Sequence, residues 1–298
     1  MKIAHLLHNP TAGNEEHSKK NLISLIENQG FDCRYSSTKS KDWNIAEDTD
    51  FLVVAGGDGT VKKITKILLE RKVLEKSWPI ALLPLGTANN IAKTLELPLE
   101  TEQIIKSWKK PLIKKYDVGR LYAIKNVEFF LESFGYGVFP YLMLEMVRQE
   151  KESIEDPEEK IKEALKLLLE ILDSYEARLC DLQIDGKDYS GKYLMVEIMN
   201  TKSIGPNLVL SPDSDPGDSK LNIVIIGEKH RKKLLSYIEG KIDGEKSEYK
   251  FDTIEGENIS IRWEGTHVHV DDKVVKVKKS AEVKIKLIPD LLNFIVPS

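Results

Sequence analysis

Three uninterrupted apolar runs, each ending in a loop of glycine, asparagine and threonine, constrain the fold of this chain more than any other feature. "KIAHLLHN" leads into "HNPTAG" at 8–13, "DFLVVAGG" into "GGDGT" at 56–60, and "PIALLPLG" into "PLGTANN" at 84–90. Strands apolar on both faces belong to a parallel sheet covered by helices on either side. The intervening segments supply the helices. "KKNLISLIENQG" reads as a helix closed by Gly30, "TVKKITKILLERK" as one with Val61, Ile64, Ile67 and Leu68 on one face, and "NNIAKTLEL" repeats the pattern. Ligands of open α/β sheets gather outside the carboxyl ends of the strands. A glycine pair there lets backbone N–H groups approach a ligand that side chains would hold off, and Thr60 is placed to cap the helix that follows. That combination suits phosphate, against the plainer alternative of a tight strand-to-helix turn favoured by Asp58.

From about residue 117 the texture changes. "YLMVEIMN", "LNIVII", "ISIRW" and "THVHV" are short strands separated by turn signals such as "PDSDPGDS", which predicts a β-sandwich. One helix interrupts it, opened by Asp156 and Pro157 with Leu165, Leu168, Leu169 and Leu172 as its core face; the stretch before it, "RQEKESIED", reads as a solvated loop. The basic run "KHRKK" at 229–233 heads another helical segment, either as a solvated helix end or as a patch for reversible attachment to an anionic membrane surface. The fold class is therefore α/β in two domains, a three-layer α/β domain over 1–120 and a β-sandwich over 121–285, and the cleft between two such domains is the default place for a site.

Composition narrows the class. With 41% hydrophobic and 31% charged residues the chain is globular, and no apolar stretch approaches the roughly 18 residues of a membrane span. A cytoplasmic protein is expected, with no signal-peptide pattern. A net charge of −4 argues against nucleic acid as a partner, while leaving room for a local basic patch on anionic lipid. Cys33 and Cys180 lack metal or disulfide spacing and are expected to be buried thiols.

"NPTAG", "GGDGT" and "LPLGTANN", in that order, resemble the diacylglycerol kinase catalytic domain family, particularly the bacterial lipid kinases related to sphingosine and ceramide kinases. The resemblance continues through "FGYG" at 134–137 and "LSPDSDPGDSKLNIVII" at 210–226, and ends in "LIPDLLNFIVP", a segment that in the family returns to the first domain, here 286–298. It implies an NAD kinase/diacylglycerol kinase-like fold and phosphoryl transfer from ATP, with Mg²⁺, to a lipid hydroxyl. The implied partner is a lipid substrate; a transient membrane surface, met through the basic run 229–233 with the protein peripheral there, and a second copy in a homodimer are expected beside it. By resemblance the nucleotide lies at Asn9, Thr38, Gly56, Gly57, Asp58, Gly59, Thr60, Gly86 and Thr87. Such transfer rests on positioning and charge neutralisation, which loop amides, hydroxyls and helix starts at Thr60 and Thr87 supply. Replacing Asp58 is expected to harm Mg-ATP use far more than folding. The resemblance also implies a Mg²⁺ site on the loop 212–221, formed by the Asp218 carboxylate and the carbonyls of Asp215 and Lys220.

The chain departs from the family at several positions, Ser219 and Asp272 among them, each in place of a Gly. Lys62 and Lys63 stand where relatives have Asn-Glu, Asn90 where they have Asp, and Lys273 where a D-G-E triplet carries the Glu assigned as proton acceptor. A lysine is protonated near neutral pH and is a poor replacement for that base. Alternation in "THVHVDDK" sets Val268 and Val270 on one face and His267, His269, Asp271 and Lys273 on the other unless the chain turns at 271–272. Asp271 is thus the candidate base beside Asp58, and His267, His269 and Asp271 are a weaker candidate metal face. Two alternatives stay open: a catalytically weakened pseudo-kinase that binds nucleotide or lipid, and an NAD kinase.

Overall fold

In the computed structural model, which describes residues 1–13, 17–40, 44–70, 77–149, 156–245 and 251–298, the chain forms two units. The first comprises Met1–Tyr116 and Asp290–Ser298, the second Asp117–Pro289. In the first, β1 (Ile3–His8), α1 (Lys19–Asn28), β2 (Asp32–Ser37), β3 (Phe51–Gly56), α2 (Asp58–Leu69), β4 (Ile80–Pro84), α3 (Asn90–Thr94) and α4 (Thr101–Ser107) alternate as expected, followed by β5 (Leu112–Tyr122). β1, β2, β3 and β4 pair in parallel, in the order β2-β1-β3-β4. The carboxyl-terminal strand (Glu282–Val296) joins β4 in parallel at Phe294 opposite Ile80.

Strand period and burial explain the layers. Leu6, Phe51, Val53, Ala81 and Leu83 form one face of the sheet and pack with Leu22 and Ile26 of α1, Ile104 and Ile105 of α4, and Trp108. The alternate residues Leu7, Leu52, Val54 and Leu82 are equally buried, and α2, whose buried Val61 and Ile64 lie outside that cluster, packs along β3. β3 is buried at all six positions, which is why its sequence shows no alternation.

The second unit is the predicted β-sandwich, with more helix than the sequence suggested. It contains β6 (Phe129–Phe130), β7 (Ser133–Gly137), α5 (Val138–Gln149), α6 (Pro157–Ser174), β8 (Arg178–Ile184), β9 (Lys187–Asp188), β10 (Gly191–Met199), β11 (Ser203–Ile204) and β12 (Leu208–Val209). β13 (Leu221–Gly227), α7 (Arg231–Ile242), β14 (Thr253–Gly256), β15 (Asn258–Trp263), β16 (His267–Val270), β17 (Lys273–Lys276) and β18 (Glu282–Val296) follow. One layer runs β14-β13-β10-β7-β16-β17, the other β8-β15-β18, all antiparallel. Phe134, Tyr136, Val196, Ile198, Val268 and Val270 face Leu182, Ile259, Ile261 and Val283 in the interior. The reverse face of β10 and β13 is covered by α5, α6 and α7 through Phe139, Leu142, Leu165, Leu168, Leu172, Leu234 and Ile238. Asp156 caps α6 as predicted, accepting the Glu158 N–H, whereas Leu169 is only partly buried. Of "RQEKESIED", Arg148 and Gln149 end α5, and 150–155 lie outside the described residues.

On the helix-covered face β10, β7 and β16 lie side by side, and Gly135 is paired with Glu197 on one flank and His269 on the other. The two side chains meet above a residue that has none. His269 Nε2 lies 2.7 Å from Glu197 Oε2 with both side chains fully buried, and a Cβ at position 135 would come within 2.1 Å of that carboxylate oxygen. The Phe139 ring packs edge-on against the imidazole, 4.8 Å between centroids. Burial pushes the Glu197 carboxyl above its usual range. Burial pulls the His269 ring down, but the Glu197 carboxylate and the Asp271 carbonyl outweigh it and leave its pKa raised.

A raised folded pKa means that the native state keeps its proton after the unfolded chain has lost it. The stability this confers is full below about pH 6.5, where the unfolded histidine is charged, and is lost as pH rises through the folded value. His269→Gln should therefore destabilise by about 3 kcal/mol at the acid end. In thermal melts between about pH 5 and 9 the stability advantage of the wild type over Glu197→Gln/His269→Gln, in which neither group titrates, should fall as pH rises; an advantage that grows with pH would contradict this assignment.

Candidate nucleotide and metal sites

Register brings the three loops of the first unit to one edge. His8 is opposite Ser37 and Ala55, and Gly56 is opposite Pro84, so the strands end nearly level. The strand order reverses between β1 and β3, and the loops after these two strands, "NPTAG" and "GGDGT", leave the sheet at that switch point.

Glycines let the second and third loops touch. A Cβ on Gly86 would sit 2.5 Å from the Gly57 Cα, closer than carbon atoms pack, and one on Gly57 would sit 3.1 Å from the Gly86 Cα. The Leu85 N–H donates to the Gly56 carbonyl at 3.1 Å. Asp58 completes the junction: Oδ2 accepts the Asn90 N–H at 2.9 Å and Oδ1 the Ile91 N–H at 3.1 Å. The central acid of "GGDGT" thus caps the helix that follows "LPLGTANN". Asn89, in the left-handed region at φ 53°, closes the loop by accepting the Gly86 N–H at 2.9 Å and donating to the Gly86 carbonyl at 2.6 Å.

The first loop joins through Asn9. Its N–H donates to the Ala55 carbonyl at 2.8 Å, its Nδ2 to Thr60 Oγ1 at 3.2 Å, and its Oδ1 accepts from Thr11. Thr38 is buried, its N–H donates to the His8 carbonyl at 2.8 Å, and its own carbonyl accepts from Lys63 Nζ at 2.5 Å. Asn9, Thr38, Gly56, Gly57, Asp58, Thr60 and Gly86 therefore form one connected set. Gly59 is exposed in the first turn of α2, and Thr87 is exposed in the loop before α3.

Three local expectations change. Thr60 is not the N-cap: Gly57 is, and α2 begins at Asp58, because Thr60 is drawn inward to Asn9. Among the described residues no side-chain hydrogen bond caps the start of α2, and the positive end of a helix attracts anions. Thr87 is not at a helix start, since Asn89 is the N-cap of α3. Asp58 is more structural than expected, because its carboxylate holds two backbone amides. The ties that sequence reading missed are Asn89 and the Lys63 ammonium; the only signal was the Asn-Asn pair, since asparagine tolerates positive φ.

In the second unit, Asp215 and Asp218 share a turn. Asp215 Oδ1 accepts the Gly217 N–H at 2.9 Å, its carbonyl accepts the Asp218 N–H at 3.2 Å, and Asp218 Oδ1 accepts the Lys220 N–H at 2.9 Å. Burial, followed by neighbours that include Asp215 and Glu255, leaves the Asp218 carboxyl above its ordinary value, a condition a bound cation relieves. The Lys220 ammonium is turned to Glu255. Among the described residues no three His, Cys, Asp or Glu side chains gather to hold a metal, so the fit here is that of one carboxylate plus carbonyls and water. Asp117, fully buried and not singled out by the sequence, anchors this loop by accepting the Ser219 N–H at 2.8 Å.

Asp271 does not share a strand face with Lys273. β16 ends at Val270, opposite Lys273, so Asp271 and Asp272 form a two-residue turn with Asp271 at φ 52°. Its Oδ1 accepts the N–H groups of Leu131, Glu132 and Ser133 at 3.1, 2.8 and 3.1 Å, and its Oδ2 lies 3.2 Å from the Leu131 nitrogen. His267, His269 and Asp271 make no metal face, because His269 is committed to Glu197. Cys180 is a buried thiol, and Cys33 is half-buried.

Residues 3–121 match the diacylglycerol kinase catalytic domain family, and residues 146–296 match the YegS C-terminal NAD kinase beta sandwich-like domain family. The chain belongs to the family that joins these two domains. A Staphylococcus aureus (strain Mu3) protein named "Putative lipid kinase" is 29% identical over 210 residues, which are 70% of this chain and 64% of that relative, so the chain spans just under two thirds of the relative's length. "Diacylglycerol kinase" of Bacillus subtilis (strain 168) is 24% identical over 240 residues, 76% of this chain and 74% of the relative. A solved structure described as "A putative diacylglycerol kinase from Bacillus anthracis str. Sterne" shares the fold with a TM-score of 0.74 at 22% identity, over 99% of this chain and 97% of that one. No helix among the described residues is long and apolar enough to cross a membrane.

The Asp58 junction has a measurable consequence. Asp58→Ala should lower stability by about 1–3 kcal/mol through the loss of two charge-assisted bonds, while Asp58→Asn, which keeps one acceptor oxygen, should lose less. Equal unfolding midpoints for wild type and Asp58→Ala would show that the junction does not hold α3.

Proposed function

We propose that this lipid kinase family member transfers the terminal phosphoryl group of ATP to the hydroxyl of a diacylglycerol-like, phosphatidylglycerol-like or sphingoid lipid. The observation that carries the reading is the convergence of three loops at the switch point beside the uncapped start of α2. Amides of Gly57, Asp58 and Gly59 there suit the phosphates, and Lys62 and Lys63 add positive charge where the resemblance expects Asn-Glu. Mg²⁺, when bound, neutralises phosphate charge, and a single carboxylate with phosphate oxygens and waters is a normal shell for it. Asp58 is the carboxylate in reach of such a shell, while Asp218 with the carbonyls of Asp215 and Lys220 suits a separate structural ion. The reading assigns proton acceptance from the lipid hydroxyl to Asp271, whose Oδ2 takes one backbone donor, Leu131 N–H at 3.2 Å, where Oδ1 takes three.

The weakened pseudo-kinase is the second reading, favoured by Lys273 in place of a carboxylate and by the Lys63 ammonium held on the Thr38 carbonyl. Titration calorimetry with Mg-ATP beside lipid-dependent ATP consumption separates the two. Slow turnover on at least one of diacylglycerol, phosphatidylglycerol, a sphingoid base or ceramide is expected, falling about 10²- to 10⁴-fold in Asp271→Asn. ATP binding with no turnover on every lipid would establish the pseudo-kinase instead.

A further inference from the structure

The sequence pointed to "KHRKK" at 229–233 as a membrane-facing patch, and the structure removes its central cation. The Arg231 guanidinium donates to the Leu172 and Tyr175 carbonyls and pairs with Glu228, leaving its side chain 19% exposed. It acts as a clasp between α7 and the end of α6.

A different basic segment is exposed in the first unit, running from the end of α4 into the start of β5. "KSWKKPLIKK", residues 106–115, is rooted at both ends by buried aromatic rings. Trp108 packs edge-on against Phe31 and Phe51, at 5.9 and 5.5 Å between centroids, and Tyr116 packs against Phe294 at 4.9 Å. Between these roots Leu112 and Ile113 are 53% and 48% exposed. Adjacent strand residues point to opposite faces, so exposure of both means that neither face of this strand end is covered. Lys106, Lys109, Lys110 and Lys115 flank the apolar pair in sequence, all exposed, and among the described residues none of the four is ion-paired. Two exposed aliphatic side chains amid lysines, on a chain of net charge −4, make a local cationic and apolar prominence fixed by its own packing.

We infer that the 106–115 prominence docks the protein on an anionic lipid surface, with Leu112 and Ile113 entering the interface and the lysines meeting acidic headgroups. Charge complementarity selects that partner, because juxtamembrane lysines are drawn to anionic leaflets while short apolar side chains sit at the headgroup boundary. The two anchoring rings make the prominence preorganised, so little ordering opposes docking. The choice of a lipid surface over an acidic protein rests on the lipid-kinase reading above, but the test involves no nucleotide and no turnover, so either can fail alone.

Vesicle sedimentation of the full chain on phosphatidylcholine vesicles, with and without phosphatidylglycerol, tests it. Binding should require phosphatidylglycerol and weaken with salt. Lys109→Glu/Lys110→Glu should bind at least about thirtyfold more weakly, and Leu112→Ser/Ile113→Ser should also lose affinity, both with unchanged melting temperature because all four side chains are exposed. Lys232→Glu/Lys233→Glu, on the segment clasped by Arg231, should bind as the wild type does. Equal binding of the wild type and both prominence variants, equal binding to neutral vesicles, or loss confined to the Lys232/Lys233 variant would overturn the assignment.

Discussion

The approach of Gly57 to Gly86 is the contact on which the first unit's candidate site depends. Two loops from neighbouring parallel strands touch only because neither residue carries a side chain; a methyl group on Gly86 would stand 2.5 Å from its partner's Cα. Once the loops touch, Asp58 reaches the amides of Asn90 and Ile91, and Asn9 reaches Thr60. Steric freedom at two glycines is thereby converted into a hydrogen-bonded edge on which the start of α2 is left without a side-chain cap. An anion is the natural complement of such an edge.

The second unit uses glycine differently. Gly135 separates two charged side chains that would otherwise have no room, and the resulting Glu197–His269 pair reaches the Asp271 carbonyl through Nδ1 at 3.2 Å. Asp271 in turn gathers the N–H groups of residues 131–133. A buried pair, a tight turn and a strand start are thus linked, which explains why the turn at 271–272 holds a non-glycine residue at φ 52°. Such networks are costly unless satisfied throughout, and among the described residues Glu197 Oε1 has no hydrogen-bond partner, so the pair is weaker as a stabiliser than its burial suggests.

Much of the first unit was legible because its signals are local. Apolar runs, loop glycines and helix periodicity all lie within a few residues of one another, and the sheet order follows from their succession. What escaped detection was non-local. Nothing in "TVKK" says that Thr60 turns inward to Asn9, 51 residues earlier, or that Lys63 finds the Thr38 carbonyl. In the second unit α5 was hidden because "VFPYLMLEMVRQ" is apolar on most sides and contains Pro140, which the first turn of a helix tolerates. The His269 pairing was hidden for the opposite reason: strict alternation puts a histidine on the reverse of the sandwich core, and only α5 folding over it turns that face inward. The family resemblance supplied the candidate residues; the hydrogen bonds show that several of them also hold the loops together.

The central claim is that the joined loops are where nucleotide phosphates bind. Amide hydrogen–deuterium exchange with and without Mg-ATP tests it most directly. Exchange should slow in peptides covering 8–13, 56–60 and 84–90, with little change across the second unit's sheets. If calorimetry shows ATP bound while exchange in those three loops stays the same, the phosphates bind elsewhere and the account is wrong.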